Sequence, residues 1–154
     1  MTAILALDLG STTGFAYAAP GVFASGEWKL DVGRHVSLGA RANELKRKIN
    51  QLHQTVQVHE VWYEAVEFAS TTYAAQLYGA FLGSVQGWCE EQGVPFRGVA
   101  VAALKKYATY RGNATKEDMV IAARSFGYDV PAANHNEADA LCLLHYAMSE
   151  GMFA

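Results

Sequence analysis

Residues 3–14 read AILALDLGSTTG, an almost unbroken apolar run that holds a single acid and ends in a glycine-rich turn. A continuous apolar run is typical of a central strand that is covered on both faces. The Gly, Ser and Thr residues that follow predict a turn. We therefore expect the first strand at residues 3–9, with Asp8 near its end.

The residues after this strand predict an alternation of strands and helices. Two further strand-like runs, separated by Pro20-Gly21, predict an antiparallel meander over residues 3–30. Beyond it, apolar residues at helical spacing alternate with short apolar runs. The predicted elements are strands at 15–19 and 22–30, a helix at 37–55, a strand at 60–66, a helix at 71–91, a strand at 99–101, a helix that opens at Thr115 and ends at Gly127, and a helix from about Asn134.

This order predicts one domain, residues 1–154, built on a five-stranded mixed sheet with helices on both faces. The first strand and the strand at 60–66 are joined by a helical crossover, so we expect them to be parallel neighbours. Asp8 and Glu64 would then lie side by side.

Composition narrows the class of protein. No apolar stretch approaches the roughly 20 residues that a membrane helix needs, and the N-terminus has no basic leader region. Cys89 and Cys142 have neither CxxC nor Cys/His spacing, which argues against a zinc site and a disulfide framework. We expect a cytoplasmic protein with no membrane partner.

The net charge of -3 argues mildly against nucleic-acid binding, but the charges are unevenly distributed. Residues 95–116 contain no acid. Five basic residues fall in this segment: Arg97, Lys105, Lys106, Arg111 and Lys116. The segment is either a nucleic-acid contact or an ordinary solvated face.

Two acids lie where the pattern predicts buried strands, Asp8 in LALDLG and Glu64 in VWYEAV. Burying a carboxylate without a partner costs several kcal/mol, or the group gives up its charge. On adjacent strands the two acids would also repel each other. A divalent cation that bridges them would turn this repulsion into a binding site.

A third acid, Asp139, comes from NEAD near the start of the last helix. Positions 135, 136 and 139 share one helical face, whereas Glu137 points away from it. Hard oxygen donors with no cysteine suit Mg²⁺ or Mn²⁺ rather than zinc. We expect two cations about 3.5 to 4 Å apart, an arrangement that serves phosphodiester hydrolysis.

Glu67 competes with Glu64 for a place in this site. Period-two alternation puts the two acids on opposite faces of the strand. Glu64 lies deeper in the apolar run, so we expect Glu64 to be the ligand.

Four segments in order give the chain a family likeness. They are LALDLGSTTGFA, VWYEAV, ALKKYATYRGNATKEDM and NEADALCLLHYA. Together they resemble, over nearly the whole chain, the RuvC-type Holliday junction resolvases of the ribonuclease H-like superfamily, particularly the short forms carried by bacteriophages. The resemblance implies a metal-dependent endonuclease that nicks four-way DNA junctions, in a bacterial host cell if the gene is carried by a phage.

The resemblance also implies roles for single residues. Asp8, Glu64 and Asp139 would be metal ligands, and Lys105 and Lys116 would contact the substrate phosphate or support the reaction. Asn136 stands where the family often has a fourth acid, and its carbonyl oxygen can still ligate. The remaining DNA contacts would be Lys106, Arg111, Asn113 and Phe68, the last lying next to the position of the family's aromatic wedge. Family members dimerise through the helix that corresponds to residues 71–91.

Three other readings compete with this one. The turn DLGSTTG also resembles the phosphate hairpin of sugar kinases and actin, although those ATPases need a second domain. A YqgF-type RNA-processing nuclease would share the first acidic strand and would cleave RNA. A non-catalytic junction-binding module is favoured by Asn136, because the amide adds no negative charge for a metal.

Overall fold

The computed structural model describes residues 2–30 and 36–150. Five strands form one mixed sheet in the order β3-β2-β1-β4-β5. β1 pairs antiparallel with β2, β2 antiparallel with β3, and β4 lies parallel to both β1 and β5. The strands are β1 Ile4–Asp8, β2 Thr12–Ala19, β3 Val22–Lys29, β4 Glu60–Ala65 and β5 Phe96–Ala100. The predicted meander and the parallel pairing of the two acid-bearing strands are confirmed.

In the described part of the chain, five helices cover the two faces of the sheet. They are α1 Leu38–Val56, α2 Thr72–Gln92, α3 Val101–Thr109, α4 Lys116–Ser125 and α5 His135–Glu150. α1 and α2 pack on one face, and α3, α4 and α5 pack on the other. The predicted mixed sheet with helices on both sides is therefore confirmed.

The continuous apolar run of β1 follows from this two-sided packing. Leu5 and Leu7 point into the core under α1 and α2, whereas Ile4 and Ala6 point into the core under α5. Because successive side chains alternate between faces, Asp8 shares the face of Ile4 and Ala6. The first acid therefore faces α5.

The segment after α2 differs from the prediction. The expected strand at 99–101 is β5, Phe96–Ala100, and Val101 already begins α3. The sequence pattern did not predict α3, because β5 runs into it without an intervening loop and Ala100 at its N-cap makes no side-chain hydrogen bond. Lys105 and Lys106 therefore lie on a helix, in a segment for which the sequence analysis predicted no regular element.

Two ends of the predicted elements are supported by specific contacts. Thr115 and Asp118 form a reciprocal capping box at the start of α4, where the sequence predicted that a helix opens. Gly93 ends α2 with φ +68, a left-handed conformation that glycine adopts without a steric penalty.

Candidate metal centre

The ends of two parallel strands bring the first two acids together. Leu7 of β1 pairs with Tyr63 of β4, so the next residue on each strand, Asp8 and Glu64, lie side by side. Glu64 is two residues beyond Trp62, which packs under α5, so it shares the face that α5 covers. Both acids are half-buried at the carboxyl edge of the sheet.

α5 completes the cluster with Asp139. The side chains of Asp8, Glu64 and Asp139 each place a carboxylate oxygen within 4.8 Å of those of the other two. None of the three forms a salt bridge with a residue in the described ranges. Three partly buried carboxylates without cationic partners fit a divalent cation, and an all-oxygen donor set fits Mg²⁺ or Mn²⁺.

Burial and mutual repulsion disfavour the charged forms of these acids. Burial, followed by the neighbouring Glu64 and Asp139 carboxylates, raises the pKa of Asp8 well above its ordinary value. Burial, with Asp139 next in effect, raises the pKa of Glu64 to about 7. Burial raises the pKa of Asp139 to about 6, although Lys105, His135 and Lys116 oppose it. A bound cation would favour the ionised forms.

Hydrogen bonds that the sequence analysis missed hold the first turn of α5 against the sheet. Glu27 of β3 accepts hydrogen bonds from the backbone amides of Asn136 and Glu137 at 3.0 and 3.2 Å. Ser25 donates to Glu137 Oε2 at 2.7 Å, and Asn134 donates to Glu137 Oε1 at 2.9 Å. Glu137 thus points away from the other acids, as its helical position predicted.

Gly14 of β2 allows the backbone of α5 to approach the sheet this closely. A Cβ built on Gly14 would lie 1.9 Å from the backbone oxygen of Asn136, so only glycine admits the helix at this height. In the sheet register Gly14 pairs with Asp8 on one side and with Glu27 on the other. The start of α5 therefore lies across a row formed by Asp8, Gly14 and Glu27.

α2 fixes the backbone on the other side of the centre. Tyr78 of α2 donates to the carbonyl oxygen of Glu64 at 2.9 Å and accepts from the Val66 amide at 3.1 Å. No signal in the sequence pointed to this contact. It holds the strand end that carries Glu64.

The structure divides the predicted DNA-contacting residues into two groups. Lys105 of α3 and Lys116 at the start of α4 lie close enough to the acids to lower the pKa of Asp139. The side chains of Lys106, Arg111 and Asn113 are exposed, and Arg111 pairs with Asp118 at 2.7 Å.

Glu67 and Phe68 lie beyond the end of β4. Glu67 is exposed and does not join the acidic cluster, whereas Glu64 does. The Phe68 side chain is 89% exposed. Both residues border a surface cleft of about 340 Å³ whose other wall includes Ala100, Val101 and Gly112.

Asn136 and His135 flank Asp139 on α5. The Asn136 side chain makes no hydrogen bond to another residue in the described ranges, and its backbone amide is held by Glu27. His135 is near enough to lower the pKa of Asp139. Both side chains are half-buried beside the acids.

The sheet order, the mixed strand directions and the helices on both faces define a ribonuclease H-like α/β fold. Within this fold, the chain is similar to RuvC. The chain superposes on Thermus thermophilus RuvC in complex with Holliday junction substrate with a TM-score of 0.79 at 19% identity, covering 97% of each chain. For T. thermophilus RuvC in a second structure the TM-score is 0.75, with the same identity and coverage.

A yeast mitochondrial Holliday junction resolvase also matches, with a TM-score of 0.58 at 14% identity over 92% of this chain and 75% of that one. At these identities the likeness establishes the fold, and at that level it confirms the resemblance inferred from the sequence. The chain matches no protein-family model and no curated protein sequence.

Within residues 2–30 and 36–150, no helix is both long enough and apolar enough to cross a bilayer.

Proposed function

We propose that this protein is a metal-dependent, structure-selective endonuclease that nicks four-way DNA junctions. The observation that carries the proposal is the cluster of Asp8, Glu64 and Asp139 at the carboxyl edge of a RuvC-like sheet. Three half-buried acids within 4.8 Å of one another repel one another when ionised and destabilise the fold unless a cation balances their charge. Cations held there could in turn bind a phosphate.

Asp8, Glu64 and Asp139 would hold Mg²⁺ or Mn²⁺, two ions per site, and the Asn136 side-chain oxygen is available as a further, neutral donor. When bound, these ions would supply a water activated for attack and stabilisation of the leaving oxygen. Tyr78 and Glu27 hold the backbone segments that carry two of these ligands.

The basic residues would bind and orient the DNA. Lys105 and Lys116 lie nearest the acids and would hold the reacting phosphate there. Lys106, Arg111 and Asn113 are exposed around the same segment and would contact phosphates farther along the strand. Phe68 borders the cleft of about 340 Å³ beyond the end of β4, where a base of the distorted junction could stack on its exposed ring.

A homodimer through α2 would place two such sites around one junction. Ala75, Gly79, Gly83 and Gly87 follow one another at four-residue spacing along an exposed face of α2. Within the described ranges, a Cβ on any of the three glycines would meet nothing within 4 Å. Each glycine disfavours the helix by about 1 kcal/mol relative to alanine, and residues 2–30 and 36–150 give no packing reason for it.

No charged residue occurs in α2 between Thr72 and Cys89. An uncharged face of small residues allows the close approach of a second helix backbone. A second copy of this chain is the simplest partner, because a two-fold dimer matches the paired strands of a four-way junction.

Cleavage of labelled substrates tests the proposal directly. The purified protein, with Mg²⁺ and with Mn²⁺, is expected to nick a four-way junction at two related positions and to leave linear duplex, single strands and RNA largely intact. Asp8→Asn, Glu64→Gln and Asp139→Asn should each abolish cleavage and retain junction binding, because they remove metal ligands but few phosphate contacts. Glu67→Gln is the matched control and should cleave normally.

Three outcomes would contradict parts of this proposal. Preferential cleavage of RNA would favour an RNA-processing nuclease. Binding of junctions without nicking, even in Mn²⁺, would favour a non-catalytic binding module. An active Glu64→Gln variant with an inactive Glu67→Gln variant would reverse the assignment of the second acid.

A further inference from the structure

The helix that carries Asp139 has an unusual start. Asn134 occupies the N-cap position of α5, where a side-chain oxygen normally accepts from the amides two and three residues on. Here the Asn134 amide group donates to Glu137 instead. Glu27, which lies 109 residues before Asn136 and on another element, accepts from the Asn136 and Glu137 amides in its place.

This arrangement has the chemistry of a cap. The first-turn amides of a helix have no partner within the helix, and a carboxylate near them is favoured by the helix dipole. One oxygen of Glu27, Oε2, accepts both hydrogen bonds at 3.0 and 3.2 Å. Ser25, two residues earlier on the same strand face, donates to Glu137 and adds a second tie to the same turn.

The cap also determines the height of α5 above the sheet. Gly14, which pairs with Glu27 in the register, lets the Asn136 backbone rest on β2. Asp139 follows one turn later on the Asn136 face and meets Asp8 and Glu64. A shift of the first turn would therefore move Asp139 relative to the other two acids.

We propose that Glu27 is a positioning residue of the metal centre: it caps α5 from β3 and thereby sets where the Asp139 carboxylate meets Asp8 and Glu64. This inference rests on the proposed metal site. In this proposal Glu27 does not contact the metal. Its effect depends on the length of its side chain, because the carboxylate oxygen must come within hydrogen-bond distance of the two amides.

Three substitutions of Glu27 separate the effect of side-chain length from the effect of charge. Glu27→Gln keeps the length of the side chain and a carbonyl acceptor but loses the charge. Glu27→Asp keeps the charge but is one methylene shorter, and Glu27→Ala loses both. Ser37→Ala is the matched control, because Ser37 caps α1 through the Ala40 amide and its loss destabilises a helix that carries none of the three acids.

Mn²⁺ affinity, measured by calorimetry without DNA, is the primary readout. Glu27→Gln is expected to stay within about threefold of the wild type, whereas Glu27→Asp and Glu27→Ala weaken binding about 10- to 100-fold, the effect usual for partners that orient metal ligands. Junction cleavage should follow the same order in kcat with an unchanged KM for DNA. Ser37→Ala should lower the melting temperature and leave Mn²⁺ affinity unchanged.

The opposite order, with Asp near wild type and Gln impaired, would overturn the capping role in favour of a charge effect. Equal Mn²⁺ affinity in all variants would overturn the inference and leave the metal site intact. A wild-type protein that binds no Mn²⁺ would instead remove the proposed metal site itself. If Glu27→Ala does not fold, the comparison of Asp with Gln still decides the question.

Discussion

Gly14 of β2 lies directly beneath Asn136 of α5, so close that a Cβ on Gly14 would come 1.9 Å from the Asn136 carbonyl oxygen. The contact joins the meander at one end of the chain to the helix that bears the third acid. Because the position of a Cβ is fixed by the backbone and its partner is a backbone oxygen, no change of rotamer can relieve a clash there.

Gly14→Ala is therefore expected to lift the start of α5. Overpacking of this kind destabilises a protein by about 1 to 3 kcal/mol, and the displaced Asp139 should also weaken Mn²⁺ binding and cleavage. Urea denaturation and Mn²⁺ titration measure the two effects. Gly39→Ala is the control, since Gly39 is exposed in α1 and its Cβ would approach only the Ser37 hydroxyl at 3.8 Å. Equal behaviour of the two variants would contradict the close approach.

The metal-free protein is expected to lose stability as the pH rises. Glu64 has a pKa of about 7 and Asp139 one of about 6, both above their ordinary values of 4.5 and 3.8. A carboxyl group whose pKa is raised by folding stabilises the folded state fully below its unfolded pKa, and this contribution is lost as the pH passes the folded pKa. Between pH about 4 and about 7 the loss should be on the order of 1 to 3 kcal/mol.

Urea denaturation in the presence of a chelator at several pH values measures this loss. Glu64→Gln should reduce the pH dependence and stabilise the metal-free protein at neutral pH, whereas Glu67→Gln should change neither. Mn²⁺ should restore stability most strongly above pH about 7, where its ligands have already lost their protons. A metal-free wild type whose stability rises over this range would contradict the burial of these acids.

Lys105 and Lys106 are expected to act differently although they are adjacent. Lys105 lowers the pKa of both Glu64 and Asp139, so Lys105→Ala should raise these pKa values and move the acidic limb of the cleavage profile to higher pH. Lys106→Ala should leave that limb in place. It should instead weaken junction binding and reduce the slope of log affinity against log salt by about 0.9, the effect of one phosphate contact. A pH shift in the Lys106 variant alone would reverse this assignment.

Gly83→Arg is expected to convert the proposed dimer into a monomer. A long charged side chain on the small-residue face of α2 would prevent the close approach of a second helix. Light scattering at micromolar concentration should detect the change, and junctions labelled on all four strands should then show uncoordinated single nicks. Gly39→Arg, on the exposed start of α1, is the control. A wild-type monomer would remove the dimer and leave the nuclease proposal standing.

Asn136→Asp is expected to lower the Mg²⁺ concentration that half-maximal cleavage requires. The side chain is half-buried beside Asp139, and a carboxylate there would add a charged donor to the neutral one. Asn136→Ala should act in the opposite direction. An unchanged Mg²⁺ requirement in both variants would place Asn136 outside the ligand set and make His135 the better candidate, since Glu137 is held by Ser25 and Asn134.

Much of this fold was predictable because its signals are local. Asp8 and Glu64 stand out as acids within apolar runs, and the pairing of their strands follows from general rules of chain topology. The start of α4 was predictable from Thr115 and Asp118, whose reciprocal bonds span only three residues.

The features that the sequence did not predict depend on contacts between residues far apart in the chain or on segments without a local sequence signal. Glu27 reads as an ordinary exposed-face residue of a strand, and its partners lie 109 and 110 residues away. Glu137 reads as an acid favoured in any first helical turn, although it is buried. α3 was hidden because β-branched Val99 and Val101 suggest a strand and no glycine or proline separates the strand from the helix.

The docking of α5 on the meander also has a consequence for the chain while it is being synthesised. A ribosome adds β1, β2 and β3 long before it adds Asp139, and a domain generally folds as a unit. A nascent chain that stops short of α5 contains Asp8 and Glu27 but lacks the helix that both contact in the folded protein. The proposed nuclease would therefore be inactive on the ribosome until α5 emerges and docks, so the contact that shapes the centre would also keep unfinished chains from cutting DNA.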